Sequence, residues 1–509
     1  MAECYLIGIG GTGAKCVEAF VHLCAAGLGP ERLWVALVDQ DQANGNVSRA
    51  TQLIESYTKL RGRLKTQGGH YVPSSVPFLR TEISTAPAGI VWRPLPEQGE
   101  TMKRLFHRDI LNRDVQDLMD CLYRRDEEQS LELDEGFRGR PSIGAATILS
   151  RAIGEHPFWQ SMLKALDSAQ KGKDVRVFLI GSLIGGMGAS GIPTLGRTIR
   201  AELKKRHGRD TFAREGTTTT IGASVLLPYF TFPSPKESNE NGIVADSAAF
   251  LHQAQGALGY YHRLLERDAF FDQLYLIGWS PLIPLGYFRR GGPNQTNPPL
   301  LPELFSALAA WDFYSSPAGA KPRVMRAGRK DADTVDWSDL PEPTGAARSG
   351  FGQLVRFGLA YRYAYCEHLM PDNWRRVSSE SWFRRLLNSA SVNLNDNATS
   401  LLARDIGQYA DDVLTWLASL TYASSGSSLK VNLIDAPIFS RSNDDPSNSA
   451  VLHDRGHSLP RTRFGNVVPG VDASSLAHVF QELTYGRIEA DTSGLGRFVG
   501  TLYRSCSLQ

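Results

Sequence analysis

The stretch Ile180-Gly181-Ser182-Leu183-Ile184-Gly185-Gly186-Met187-Gly188-Ala189-Ser190-Gly191-Ile192-Pro193 decides the fold. An apolar run, Val175–Ile180, leads into it, and a segment with helical periodicity, Ile192–Arg206, leaves it. Its glycines therefore occupy a strand-to-helix turn. The chain opens with the same grammar. Cys4–Ile9 predicts a short buried strand, Gly8-Ile9-Gly10-Gly11-Thr12-Gly13 a glycine turn, and Ala14–Ala26 a helix. Glycines let a backbone come close to an anion, and a helix N-terminus adds free N–H groups and partial positive charge. An ordinary dinucleotide unit needs one such turn. Two of them, delivered by neighbouring strands, predict a single site in which each turn cups part of a polyphosphate.

Working outward, Leu33–Val38 predicts a second buried strand ending at Asp39. In a dinucleotide fold an acid about 20 residues past the glycines binds a ribose hydroxyl, so the first 40 residues admit a Rossmann unit for NAD. They also resemble ThiF-like adenylating enzymes, with Asp39-Gln40-Asp41 as the D-x-D and Asn46 and Arg49 as the Asn/Arg pair. Both alternatives stay open on these residues. The second glycine turn and the lack of a C-x-x-C pair weigh against them. Thr217–Leu227 and Gln273–Gly278 predict further strands, Gly242–Arg267 one long helix, and Met102–Arg125 a charged helix. Pro281–Gly350, with two Gly/Pro-rich stretches around the helix Leu300–Phe313, predicts a partly exposed insertion. Farther on, Phe351–Leu369, Trp382–Leu387, Ala398–Leu420 and Ala473–Leu483 carry apolar faces, and Leu429–Ile434 is a strand candidate. Tyr361, Tyr363 and Tyr365 alternate as a strand or pack a core.

Composition narrows the function. The 509 residues carry 55 Lys plus Arg against 53 Asp plus Glu, a formal +2, so nothing in the charge points to nucleic acid or a membrane surface. Six cysteines without a C-x-x-C pair, and no H-E-x-x-H, argue against a disulfide framework or zinc site. No leader-like N-terminus and no apolar run of spanning length predict a cytoplasmic protein.

The glycine turns resemble those of the tubulin/FtsZ superfamily, most closely its divergent bacterial tubulin-like branch. Gly185-Gly186-Met187-Gly188-Ala189 and Pro193 are similar to the signature G-G-G-T-G-[ST]-G, and the first turn is similar to the FtsZ G-x-G-G-x-G. Gly139-Arg140-Pro141-Ser142-Ile143-Gly144-Ala145-Ala146 resembles the loop that faces the terminal phosphate. Leu227-Pro228-Tyr229-Phe230-Thr231-Phe232 resembles the stretch written K-P-F-x-F. The match covers roughly residues 3–265.

The resemblance implies an α/β fold: a tubulin-like, Rossmann-type parallel sheet with flanking helices in 1–241, a central helix over 242–267, and a smaller α+β domain over 268–509 that includes the 281–350 insertion. It implies GTP or GDP held by Gly10, Gly11, Thr12, Gly13, Asp39, Asp41, Gly144, Ala145, Ser182, Gly185, Gly186, Met187, Gly188, Ala189 and Ser190. Asp246 falls where the family reads guanine, with Asn239 and Asn241 nearby; a carboxylate there accepts from both guanine N1–H and the exocyclic amine. Mg²⁺ is implied as well, with Asp39 and Asp41 placed to help hold it or its water. The implied activity is slow GTP hydrolysis coupled to head-to-tail self-association into filaments, or to a partner protein. Met187 stands where the family has threonine, and the acidic loop that orients the attacking water in the next subunit is missing. Glu303, Asp272 and Asp268 are the substitutes available, and a non-hydrolysing nucleotide-binding scaffold is the alternative.

Overall fold

The computed structural model describes residues 2–41, 43–95 apart from 67–77, 97–124, 127–134, 136–137, 139–151, 153–168, 174–207, 219–232, 247–268, 270–285, 292–293, 295–317, 322–329, 333–426, 429–434, 439–441, 450–452, 464–471, 473–488 and 494–508. Eight of the described strands form one parallel sheet. They are β1 (Glu3–Ile9), β2 (Arg32–Val38), β3 (Glu82–Ser84), β4 (Val91–Trp92), β5 (Val175–Ser182), β6 (Thr219–Leu226), β8 (Gln273–Ile277) and β10 (Arg323–Ala327). Two short strands between them, β7 (Phe230–Thr231) and β9 (Ile283–Pro284), pair with each other instead. The order across the sheet is β10-β8-β6-β5-β1-β2-β3, with β4 beside the end of β2.

The sequence explains why the sheet is parallel and central. Leu6, Leu33, Val35, Leu37, Phe178 and Ile180 enter one core, while Ile7, Ile9, Ala36, Val38, Val177 and Leu179 enter the other. Strands buried on both faces need near-continuous apolar runs, and helices must then cover both faces. On one face lie α1 (Gly10–Ala25), α2 (Gly45–Thr66) and α9 (Leu301–Ser315). The other carries α5 (Pro141–Leu149), α6 (Gln160–Ser168), α7 (Gly186–His207) and much of the buried side of α8 (Phe250–Arg267). Two small helices, α3 (Met102–Leu105) and α4 (Arg113–Leu122), occupy the stretch expected as one helix. His107 at φ 49° and a 3₁₀ turn at Arg108–Ile110 interrupt it.

The C-terminal part is mostly helical: α10 (Ala346–Ala360), α11 (Ser381–Leu386), α12 (Asn397–Ser424), α13 (Leu476–Tyr485) and α14 (Gly494–Ser505). Its strands are short, with Thr334–Val335 beside Lys430–Val431 and Phe439–Arg441 beside Ala450–Leu452. These helices share one continuous hydrophobic core with α1, α2 and α9. Phe78 stacks on Tyr503 at 5.2 Å between ring centroids and lies 4.8 Å from Phe357. Tyr361, Tyr363 and Tyr365 form no strand; they continue α10 as one π turn, with Tyr361 and Tyr365 buried.

Two expectations about segment placement change. The helix within 281–350 is no exposed insertion. In α9, Leu301 through Ala310 are all buried against α1 and β6, and β10 closes the sheet. Its run Leu-Pro-Glu-Leu-Phe-Ser-Ala-Leu-Ala-Ala is apolar on nearly every side, which is how a fully buried helix reads. The Gly/Pro-rich flanks that made it look peripheral end in packed structure. Conversely, α8 is a surface helix on which Phe250, Ala254 and Tyr261 are the buried residues.

Candidate functional site

In strand order the sheet reverses between β1 and β5: the chain builds outward from β1 through β2 on one side, and from β5 through β6 on the other. Open α/β sheets bind ligands at such a switch point, outside the carboxyl ends of the strands. Both glycine turns lie there. The register Gly8↔Ile180 sets the two strands level, so β1 runs into α1 at Gly10 and β5 leads into α7 at Gly186. Both helices begin earlier than their apolar periodicity suggested, because the glycines form their first turns.

The turns touch each other. Gly10 has φ +73°, and a Cβ on it would lie 3.5 Å from the Gly188 nitrogen and 3.5 Å from Met187 Cβ. A Cβ on Gly13 would sit 2.6 Å from the Ile180 carbonyl oxygen, and one on Gly188 2.6 Å from that of Ser182. Side chains are excluded there by backbone, not by movable groups. The first turn of neither helix carries an acidic residue, and Ile9 at the N-cap of α1 offers no side-chain acceptor. Two helix N-termini thus converge with their dipoles unanswered by the protein's own acids, the local arrangement that suits an anion.

Around this cleft the structure gathers most of the expected residues. Asp39 follows β2, buried at 4% exposure, where it accepts hydrogen bonds from the Asp41 backbone N–H at 3.1 Å and from Asn44 Nδ2 at 3.0 Å. Burial pushes its carboxyl up to about 7, against the pull of those donors. Asp41 accepts from the Ala43 and Gly292 backbone N–H groups at 3.0 and 2.7 Å. Asn44 also backs the first turn, 2.9 Å from where a Cβ on Gly11 would be. Gln40, between the acids, pairs both ways with the Leu95 backbone and is structural.

The third loop sits against the second turn. A Cβ on Gly186 would approach Phe137 Cβ at 2.9 Å and the Gly139 and Arg140 nitrogens at 3.2 Å. Gly144, on α5, faces Phe137 and the Ser190 hydroxyl so closely that a Cβ would collide with both. Ala145, beside it, is half-buried. Ser190 does not aim its hydroxyl into the cleft; it donates back to the Gly186 carbonyl at 2.7 Å within α7. Ser182, Met187 and Ala189 are buried in the turn.

The three acids expected as catalytic separate. Asp272 lies at the opposite, amino edge of the sheet, bound to Arg200 at 2.8 Å and to the Ile221 N–H at 2.7 Å. Asp268 is an exposed residue just past α8, in the loop leading to that same edge. Glu303 alone lies behind the first glycine turn, paired with Lys15 of α1 and accepting from Tyr229 Oη at 2.7 Å and from the Leu300 N–H at 2.8 Å. Asp246, Asn239 and Asn241 lie outside the described residues.

A strap formed by 292–293 and 295–297 is a part of the site that the sequence did not reveal. Its main chain binds the β2–α2 turn: Gly292 N–H to Asp41, Gly45 N–H to the Gly292 carbonyl at 3.2 Å, Asn46 N–H to that of Gln295 at 3.1 Å, and Asn297 N–H to Asn46 Oδ1 at 2.9 Å. Arg49 donates to the Asn297 carbonyl at 2.9 Å and forms a two-pronged pair with Glu18 at 2.8 Å, so Asn46 and Arg49 brace the strap. A Gly/Pro/Asn-rich segment acting through main chain leaves no side-chain signature to find.

No family model matches the chain, and no curated protein matches it in sequence. Among the described residues no group of three or more His, Cys, Asp or Glu is placed to hold a metal, and no helix is long and apolar enough to cross a membrane.

Proposed function

We propose that the chain binds a guanine nucleotide in the manner of the tubulin/FtsZ superfamily, its phosphates held by backbone amides of the two glycine turns. The observation that carries this is the meeting of the turns at the β1/β5 switch point, with Gly10 against Met187 and Gly188. Neither Lys15 nor Arg49 is available to a phosphate, since each is committed to a carboxylate. Recognition by amides and helix dipoles therefore fits the near-neutral charge of the chain. Mg²⁺ commonly takes one or two carboxylates and completes its shell with phosphate and water. Asp39 and Asp41 meet that need: each of their oxygens accepts one N–H and keeps a second lone pair.

Hydrolysis, in this proposal, is slow. Asp272 and Asp268 face away from the cleft and Glu303 is enclosed, so an acid supplied by a neighbouring copy would have to orient the water. Titration calorimetry with GTP, GDP and ATP tests binding, with guanine nucleotides expected to bind at least tenfold tighter than ATP. GTP turnover measured against protein concentration then separates the two modes of action. Specific activity rising with concentration supports head-to-tail completion of the site; bound GTP that stays intact makes the protein a nucleotide-dependent scaffold. The position of Asp39 at the end of β2 also suits a dinucleotide ribose, and tight NAD binding without GTP binding would favour that second reading.

A further inference from the structure

Helix α4 is amphipathic in the opposite sense to an ordinary surface helix. Such a helix turns its apolar stripe to the core and its polar side to water. In α4 the inward side is the polar one. Asp120 forms a two-pronged pair with the buried Arg108 at 2.7 and 3.2 Å and accepts from Gln129 Nε2 at 2.8 Å. Gln116 donates to the Arg108 and Leu111 carbonyls at 3.1 and 2.9 Å, and Met119 is buried on that side as well. Asn112 caps the helix by accepting the Val115 N–H at 2.9 Å. These bonds pin α4 in its orientation.

The outward side is apolar. Val115, Leu118 and Leu122, at i, i+3 and i+7, form one stripe, with Leu118 57% and Leu122 63% exposed. Ile110, in the turn before α4, is exposed too. These are four of the ten exposed large apolar side chains among the described residues. By the same helical spacing Asp114 and Asp117 run along one flank of the stripe. Both are exposed, and neither forms an ion pair among the described residues. Asp114 suits the helix N-terminus in its own right; Asp117, a turn further on, does not.

We propose that α4 is a docking site for a basic amphipathic helix of a partner protein. The partner's apolar residues lie along Val115, Leu118 and Leu122, and its Lys or Arg side chains lie against Asp114 and Asp117. Helical partners are held through anchors at this spacing. Charge selects the occupant. In an antiparallel pair of α4 helices from two copies, the flank with Asp114 and Asp117 faces itself, and like charges oppose that contact. A helix with bases on its flank gains where a second copy loses. The proposal stands apart from nucleotide binding.

The test uses the full chain and a fluorescein-labelled synthetic helix with leucines at i, i+3, i+4 and i+7 and lysines elsewhere. Its affinity is read by fluorescence anisotropy, beside a peptide in which glutamates replace the lysines. The lysine peptide is expected to bind, and the glutamate peptide about tenfold more weakly or not at all. Leu118→Ser combined with Leu122→Ser is expected to weaken binding about tenfold. Asp114→Asn with Asp117→Asn is expected to weaken it about threefold and flatten its salt dependence. Leu251→Ser, at an exposed leucine of α8, is expected to change nothing. Cys121 is the exposed cysteine of the six and lies on the acidic flank, so bound peptide is expected to slow its alkylation. No binding of the lysine peptide, equal binding of both peptides, or full affinity in the Leu118→Ser, Leu122→Ser variant would overturn the proposal. So would a wild-type dimer in light scattering that this variant abolishes, since a second copy would then occupy the stripe.

Discussion

The two glycine turns reach the same cleft but are held in place by opposite means. Behind the first lie buried charges and polar groups: Lys15 and Tyr229 with Glu303, Arg49 with Glu18, and Asp39 with Asn44. Behind the second there is contact and little else. Gly186 fits against Phe137, Gly188 against the Ser182 carbonyl, Gly191 against Ile9, and Ser190 against Gly144. The difference teaches that one turn is held by buried charges and the other by the absence of side chains. Each should therefore fail in its own way.

The largest effect is expected at the first turn. Lys15→Met removes one partner of a buried ion pair and leaves Glu303 enclosed with its charge unanswered, which typically costs about 3–5 kcal/mol. Urea unfolding should show that loss. Adding Glu303→Leu should recover much of it, because an apolar pair can replace a buried salt bridge. A Lys15→Met variant as stable as the wild type would mean the pair carries no structural weight.

Next comes the second turn, where Gly188→Ala meets backbone at 2.6 Å from the Ser182 oxygen. Overpacking of this kind costs about 1–3 kcal/mol, and the turn must shift to accept the methyl. Loss of nucleotide binding out of proportion to the loss of stability is the expected signature. Unchanged calorimetric affinity would show that the second turn does not line the site.

The smallest effect separates the turns by pH. Asp39 binds its proton more tightly in the folded protein than in the unfolded chain, since burial raises it to about 7. Its favourable contribution is therefore complete below about pH 4 and lost as the pH rises toward 7, with a slope of at most about 1.4 kcal/mol per pH unit. Asp39→Asn should flatten that part of the stability profile measured by urea titration at several pH values. Parallel profiles for variant and wild type would place the titration elsewhere.

Much of this comparison was legible in the chain, and the reason is physical. Strands β1, β2, β5 and β6 are buried on both faces, so their apolar runs stand out, and the glycines that end β1 and β5 mark the cleft. Contacts made far along the chain were not legible. Lys15 on an apolar helix gives no hint that its counter-ion is Glu303, and α9 was misplaced because its Gly/Pro-rich flanks outweighed its own all-round apolar face. The strap's hydrogen bonds at 292 and 295–297 come from main chain. Asp272 looked available as an acid, but its place before β8 puts it at the amino edge of a parallel sheet, the end away from the glycine turns.

The most direct measurement is the identity of the nucleotide released when the purified protein is denatured, read by mass spectrometry against protein concentration. GDP or GTP is expected at close to one per chain. NAD or AMP in its place would contradict it, as would a protein that carries no nucleotide and takes up none when GTP is added.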